Sequence, residues 1–101
     1  MQKLSEKSRK PAIRFPLGQI VATPGALRLL EHHGIGPMLL LARHVQGDWG
    51  MVPPDDQIAN DKALQYGGRI LSSYTLGTND VLWIITEHDK SMTTILCPSE
   101  Y

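Results

Sequence analysis

The sequence predicts an α+β domain in which short N-terminal helices pack on a C-terminal antiparallel sheet of three to four strands. Three observations lead there. Proline and glycine mark off helix-length segments up to residue 68: Thr23-Pro24, Pro37 and Pro53-Pro54 open them, and Gly34, Gly47 and Gly67-Gly68 close them. From Arg69 onward the apolar period shortens to that of a strand, in runs rich in β-branched and aromatic residues. Those runs are separated by Gly77-Thr78-Asn79-Asp80 and His88-Asp89-Lys90-Ser91, loops so short that neighbouring strands must run antiparallel.

Residues 1–14 read as a flexible basic arm, with Lys3, Lys7, Arg9, Lys10 and Arg14 and little apolar content to hold them down. Residues 15–101 form the single domain. Leu17 to Ala22 is an apolar run suited to an edge strand or an extended lead-in. Thr23 supplies a hydroxyl cap and Pro24 the first helical position; Ala26, Leu27, Leu29 and Leu30 form the buried stripe. The second helix opens at Pro37, carries Leu40, Leu41, His44 and Val45 at spacings that share a side, and ends at Gly47. The linker Gly34-Ile35-Gly36 is short enough to make these helices packed neighbours. A third helix starts at Pro53-Pro54-Asp55-Asp56, with acids where the helix dipole favours them, and runs to Tyr66. The strands are Arg69 to Leu76, Val81 to Glu87 and Met92 to Cys97. Alternation puts Ile70, Ser72, Tyr74 and Leu76 on the face opposite Arg69, Leu71, Ser73 and Thr75. Likewise Leu82, Ile84 and Thr86 oppose Val81, Trp83, Ile85 and Glu87. One face should pack on helices; the other should carry hydroxyls and an arginine.

Composition narrows the function classes. The 101 residues suffice for one domain, and 42% hydrophobic with 20% charged residues is ordinary globular usage. Ten basic and ten acidic residues cancel, so no global field draws the chain to nucleic acid or an anionic membrane. No apolar stretch approaches the roughly 20 residues of a membrane span, and no secretory leader is recognised at the start, so a cytoplasmic protein is expected. Cys97 is the only cysteine and lies in an apolar run, which suits a buried small hydrophobe better than a reactive thiol. No metal or cofactor is expected. His32 and His33 are adjacent and would point about 100° apart on a helix, and His88 and Cys97 lack companions at ligand spacing.

Two regions hold residue types suited to chemistry. The first is Arg43-His44-Val45-Gln46-Gly47-Asp48-Trp49-Gly50, with an imidazole at a helix C-terminus followed by an acid and a large aromatic between glycines. A helix C-terminus favours imidazolium, which suits a general acid or an anion binder. Equally, His44 could pack or cap, Asp48 could make a turn hydrogen bond, and Trp49 could plug the core. The second is the meander, with Arg69, Thr86, Glu87 and Thr93 at or near strand ends. Threonines are also ordinary strand surface, and Arg69 with Glu87 could form a plain cross-strand ion pair.

Two stretches carry a resemblance. Residues 18–27 continued by residues 42–50 make one; Trp83-Ile84-Ile85-Thr86-Glu87, Asp89, Ser91, Thr93 to Leu96, Pro98 and Tyr101 make the other. Together they resemble a family of small bacterial proteins carried on plasmids and integrated elements. A looser, architectural resemblance is to the barnase-like and RelE-like ribonuclease toxins, which set helices before an antiparallel sheet and cleave RNA without metal. Those toxins are usually strongly basic, and this chain is neutral.

The resemblance implies a metal-independent ribonuclease of the toxin type, with RNA as substrate and a protein antidote or target as partner. His44 would protonate the leaving oxygen, Glu87 would take the ribose proton and Arg69 would stabilise the phosphorane. Asp48, Trp49, Thr86 and Thr93 would complete the binding surface. The alternative is a non-catalytic binding module, a mobile-element regulator or inhibitor acting through Trp49 and the polar sheet face. The ribonuclease reading requires His44, Asp48 and Trp49 to flank one cleft with Arg69 and at least one of Thr86, Glu87 and Thr93.

Overall fold

Thr23 and Pro24 set the first change of direction in the chain. The Thr23 hydroxyl accepts from the Ala26 amide at 3.1 Å and Pro24 takes the first helical position, so the strand before them gives way to a helix. The computed structural model describes residues 12–101, and in it the elements follow as β1 (Gln19–Ala22), α1 (Pro24–His33), α2 (Pro37–Val45), α3 (Pro54–Tyr66), β2 (Ile70–Leu76), β3 (Asp80–Thr86) and β4 (Met92–Leu96), with a short 3-10 turn at Pro98–Glu100. Gly34 ends α1 in the left-handed region, its amide bonded back to Glu31 and Leu30.

The fold class is α+β as the sequence predicts, with the helices between β1 and the meander. Strand order is β1-β4-β3-β2. The β2–β3–β4 meander is antiparallel, with Ser73 opposite Trp83 and Ile84 opposite Ile95. The apolar run before α1 is an edge strand, and it pairs with β4 in parallel, Gln19 beside Met92 and Ala22 beside Ile95. The sheet is therefore mixed. A parallel neighbour needs a long crossover, here supplied by everything from α1 to β3.

The helices cover one sheet face. Ala26 and Leu30 of α1 and Leu40 and Leu41 of α2 pack on Tyr74, Leu82, Ile84 and Ile95. A second cluster joins Phe15, Trp49, Val52, Ala63 of α3 and Ile70. Trp49 is buried, and removing a side chain of that size from water stabilises the fold by about 2–3 kcal/mol. Most of the expected basic arm, residues 1–11, lies outside the described residues. Arg14 belongs to the folded body rather than to an arm. Its amide donates to the Val45 carbonyl and its Nε to the Gln46 carbonyl, each at 2.9 Å.

Among the described residues no helix is long and apolar enough to cross a membrane.

Candidate functional site

His44 sits in the last turn of α2 and is fully buried against the inner sheet face. Both ring nitrogens are engaged: Nδ1 lies 2.6 Å from Ser72 Oγ and Nε2 lies 2.9 Å from Thr86 Oγ1. Thr86 Oγ1 is 2.7 Å from Thr93 Oγ1, which donates to the Leu17 carbonyl at 2.7 Å. Each hydroxyl has one proton, so the direction of the whole chain follows from its last link. Thr93 spends its proton on Leu17, Thr86 must donate to Thr93, His44 donates from Nε2, and Ser72 donates to Nδ1. The imidazole is neutral with its proton on Nε2. Burial lowers its pKa from 6.5 to about 4.

A protonated imidazole here would place a second donor against Ser72 and a charge in the core. The helix C-terminus that would favour imidazolium is outweighed by desolvation. His44 is thus a neutral polar anchor linking α2 to β2, β3 and the segment before β1.

Trp49 joins the same inner cluster, its ring 6.0 Å from that of His44 and 6.2 Å from that of Phe15, with Nε1 donating to Asp61 at 3.4 Å. Asp48 points elsewhere. It takes Arg43 Nε at 2.6 Å and the Gly50 amide at 3.2 Å, which lowers its pKa, the Arg43 bond being the larger cause. The Arg43 guanidinium, its pKa raised mainly by that bond, stacks 4.5 Å over the Tyr74 ring. The Tyr74 hydroxyl donates to the Asp48 carbonyl at 2.6 Å, and burial pushes its pKa up to about 12. This clamp closes the loop after α2.

Arg69 and Glu87 stand on the outer face of the sheet. Their neighbours Ile70 and Thr86 face inward as paired residues, so alternation turns Arg69 and Glu87 the other way. They line a groove of about 220 Å³ with Ile85, Thr94, Glu100 and Tyr101. Arg69 bonds the Tyr101 hydroxyl and lies 5.4 Å over its ring, and Tyr101 meets Trp83 edge-on at 5.7 Å. Among the described residues Arg43 pairs with Asp48 and His33 hydrogen-bonds Asp80, whereas Arg69 and Glu87 form no ion pair. The structure therefore brings His44, Trp49, Thr86 and Thr93 together and brings Arg69 and Glu87 together, with the sheet between the two sets. The single cleft expected for His44 with Arg69 and Glu87 is not formed.

Sequence reasoning missed Ser72 and Phe15 as partners of His44, and the Leu17 carbonyl as the acceptor that ends its hydrogen-bond chain. A signal existed: Ser72 and Thr86 alternate with Ile70, Tyr74, Leu82 and Ile84 on the face assigned to the core, where a hydroxyl needs a partner. The larger concavity was also missed. A groove of about 440 Å³ runs between residues 13–18 and α2, lined by Ile13, Phe15, Leu17, Met38, Leu41 and Val45 among others. Its lining is almost entirely apolar, and Ile13 and Met38 on its rim are exposed.

This groove adjoins β1, whose outer edge pairs with no other strand among the described residues. The Gln19 and Thr23 amides bond Ser91 and Ile95 of the β4 side, so the alternate residues Ile20 and Ala22 turn their backbone groups away from the sheet. From Phe15 to Leu27 the chain carries no charged residue. The opposite edge is guarded. The Asn60 side chain pairs both backbone groups of Leu71, and the 49–51 loop pairs those of Ser73. Among the described residues no three of His, Cys, Asp and Glu converge as a metal site. Cys97 is half-buried, and desolvation raises its thiol pKa. No protein-family model, curated protein or solved structure matches this chain.

Proposed function

We propose that the chain is a non-catalytic binding module that takes an extended polypeptide on the open edge of β1, with apolar side chains entering the adjoining groove. Strand addition obtains affinity from main-chain hydrogen bonds and specificity from pockets for alternate side chains. The observation that carries the reading is the contrast between the two sheet edges. One is capped by Asn60 and the 49–51 loop; the other is uncharged, unpaired among the described residues, and beside the larger groove. Soluble proteins normally guard such an edge with charge, proline or a cover.

The ribonuclease reading has less support. A general acid for that reaction must carry a proton near neutral pH and reach the leaving oxygen. His44 is neutral, enclosed, and separated by the sheet from Arg69 and Glu87.

The test is a backbone amide NMR titration with a synthetic alternating Thr-Val peptide, alongside incubation with single-stranded RNA in chelator. The expected result is intact RNA, and shifts at Ile20 and Ala22 together with the methyls of Ile13, Met38 and Leu41. Shifts confined to Arg69, Glu87 and Tyr101, or RNA cut to cyclic phosphate ends, would overturn the binding reading.

A further inference from the structure

The extended polypeptide that fits this edge is β1 itself. Resting on the strand-addition reading above, we propose that two copies of the chain pair antiparallel through β1, with Ile20 opposite Ala22 of the second copy, and join their sheets across a twofold axis.

The register follows from which groups turn outward, unpaired among the described residues. Only Ile20 and Ala22 of β1 turn their backbone outward. In an antiparallel pair, hydrogen-bonded residues exchange both their N–H and their C=O. Matching Ile20 with Ala22 of the second copy, and the reverse, satisfies all four amides and carbonyls at once. Val21 then faces its own equivalent on the axis as the non-bonded pair, where side chains come closest. The arrangement is isologous and closes on itself, as a twofold interface must. Pro24, which has no N–H, ends the ladder on one side. At the other end Gly18 takes a positive φ of 65° and leaves the strand direction.

Side chains and charge agree with this occupant. Ile20 and Leu27 are about half exposed, at 45% and 50%, within the uncharged stretch. Antiparallel pairing brings the start of the second copy's α1, with its Leu27, toward the Gly18 end of β1. The apolar groove opens there, lined by Leu17, Gly18 and Met38. The chain's net charge is zero, so two copies approach without mutual repulsion. An unrelated partner could use the same backbone groups, but it would not explain why the exposed apolar residues flank the strand on both sides.

Sedimentation of the full chain over a hundredfold range of concentration tests the proposal, with Ile20→Lys and Ala22→Pro as variants. Ile20→Lys puts a charge at an exposed position of the pairing, and Ala22→Pro removes one outward N–H without touching the bonds to β4. The expected result is a mass rising to twice 11.2 kDa for the parent chain. The Ile20 and Ala22 amides should exchange at least tenfold more slowly in the dimer. Ile20→Lys should stay at the mass of one chain, with the urea midpoint that the parent shows when diluted to a single chain, which separates a lost interface from a lost fold. A parent chain monomeric up to roughly 1 mM, a concentration at which even weak specific pairs are populated, overturns the proposal. So does a dimer that both variants leave intact. If the chain is monomeric and the Thr-Val peptide still shifts Ile20 and Ala22, the second copy is excluded while strand addition stands. If neither occurs, both readings fall.

Discussion

Asn60 and Leu71 are joined as two strands would be: the Asn60 Nδ2 donates to the Leu71 carbonyl at 2.7 Å, and its Oδ1 accepts from the Leu71 amide at 3.0 Å. A side chain of α3 thereby stands in for a neighbouring strand at the β2 edge. The carboxamide is suited to this because it carries a donor and an acceptor side by side with the spacing of a peptide group. At 2% exposed, the carboxamide occupies the place from which water would otherwise reach these part-buried Leu71 groups.

Asn60→Ala should accordingly cost about 2 kcal/mol, more than an ordinary hydrogen-bond deletion, because two part-buried backbone groups lose their partner at once. Asn60→Asp should be no better, since a carboxylate oxygen would then face the Leu71 carbonyl. Urea denaturation of both variants measures this. A loss below about 0.5 kcal/mol for either, the range of neutral surface changes, would show that the edge does not depend on the cap.

The neutral His44 makes stability depend on pH with a definite sign. The folded pKa lies near 4 and the unfolded value near 6.5, so between them the unfolded chain binds a proton that the folded chain does not. Stability is fully present above 6.5 and falls as pH drops toward 4, by a total on the order of 3 kcal/mol. His44→Phe should flatten this segment of the curve, though it will also lower stability at neutral pH by leaving Ser72 and Thr86 short of a partner. Urea midpoints at half-unit intervals from pH 4 to 8 make the comparison. Equal slopes in parent and variant would remove His44 as the cause.

Thr93 and Thr94 are adjacent in sequence and opposite in consequence. Thr93→Val cuts the polar chain at the Leu17 carbonyl and strands the Thr86 proton, and should cost about 2–3 kcal/mol. Thr94→Val changes a half-buried outer-face residue and should stay within about 0.5 kcal/mol. Thermal unfolding of the pair decides between a buried network and generic strand preference, which would move both equally.

Gly50 lies where the loop after α2 touches β2. Its φ is 73°, and a Cβ there would meet the Ser73 carbonyl oxygen at 2.0 Å. Gly50→Ala should therefore displace the loop, breaking the Met51–Ser73 and Ser73–Trp49 bonds of 2.7 and 3.0 Å and exposing Trp49. The fluorescence maximum should move to the red in the folded state. An unchanged spectrum would mean that the loop tolerates the clash elsewhere.

What could be read in advance follows a physical division. Helix starts at Pro24, Pro37 and Pro54 and the strand period after Gly68 depend on local geometry, and local geometry is written in adjacent residues. The inward and outward faces of β2 and β3 were legible for the same reason. The parallel partner of β1 was not, because nothing near Gln19 names Met92. Nor was the division of the marked residues between two faces. Arg69 and Glu87 adjoin at strand ends as the hairpin requires, but His44 reaches the sheet from the other side, and only packing fixes that. The helix C-terminus promised a charged imidazole; enclosure by Ser72, Thr86 and Phe15 made it neutral.

The parallel pairing of β1 with β4 also governs the order in which the chain can complete itself. The β2–β3 hairpin needs only its own short turn and can close early. Strand β1 is synthesised well before its partners in the sheet, Met92 to Ile95, have been made. Until then the uncharged segment from Phe15 to Leu27 has two open edges rather than one. Loop closure over everything between β1 and β4 must precede its docking, and contacts of such long sequence separation slow folding. The nascent protein is consequently exposed to misassociation through β1 until β4 has emerged, and a chain cut short of residue 92 should present that strand permanently.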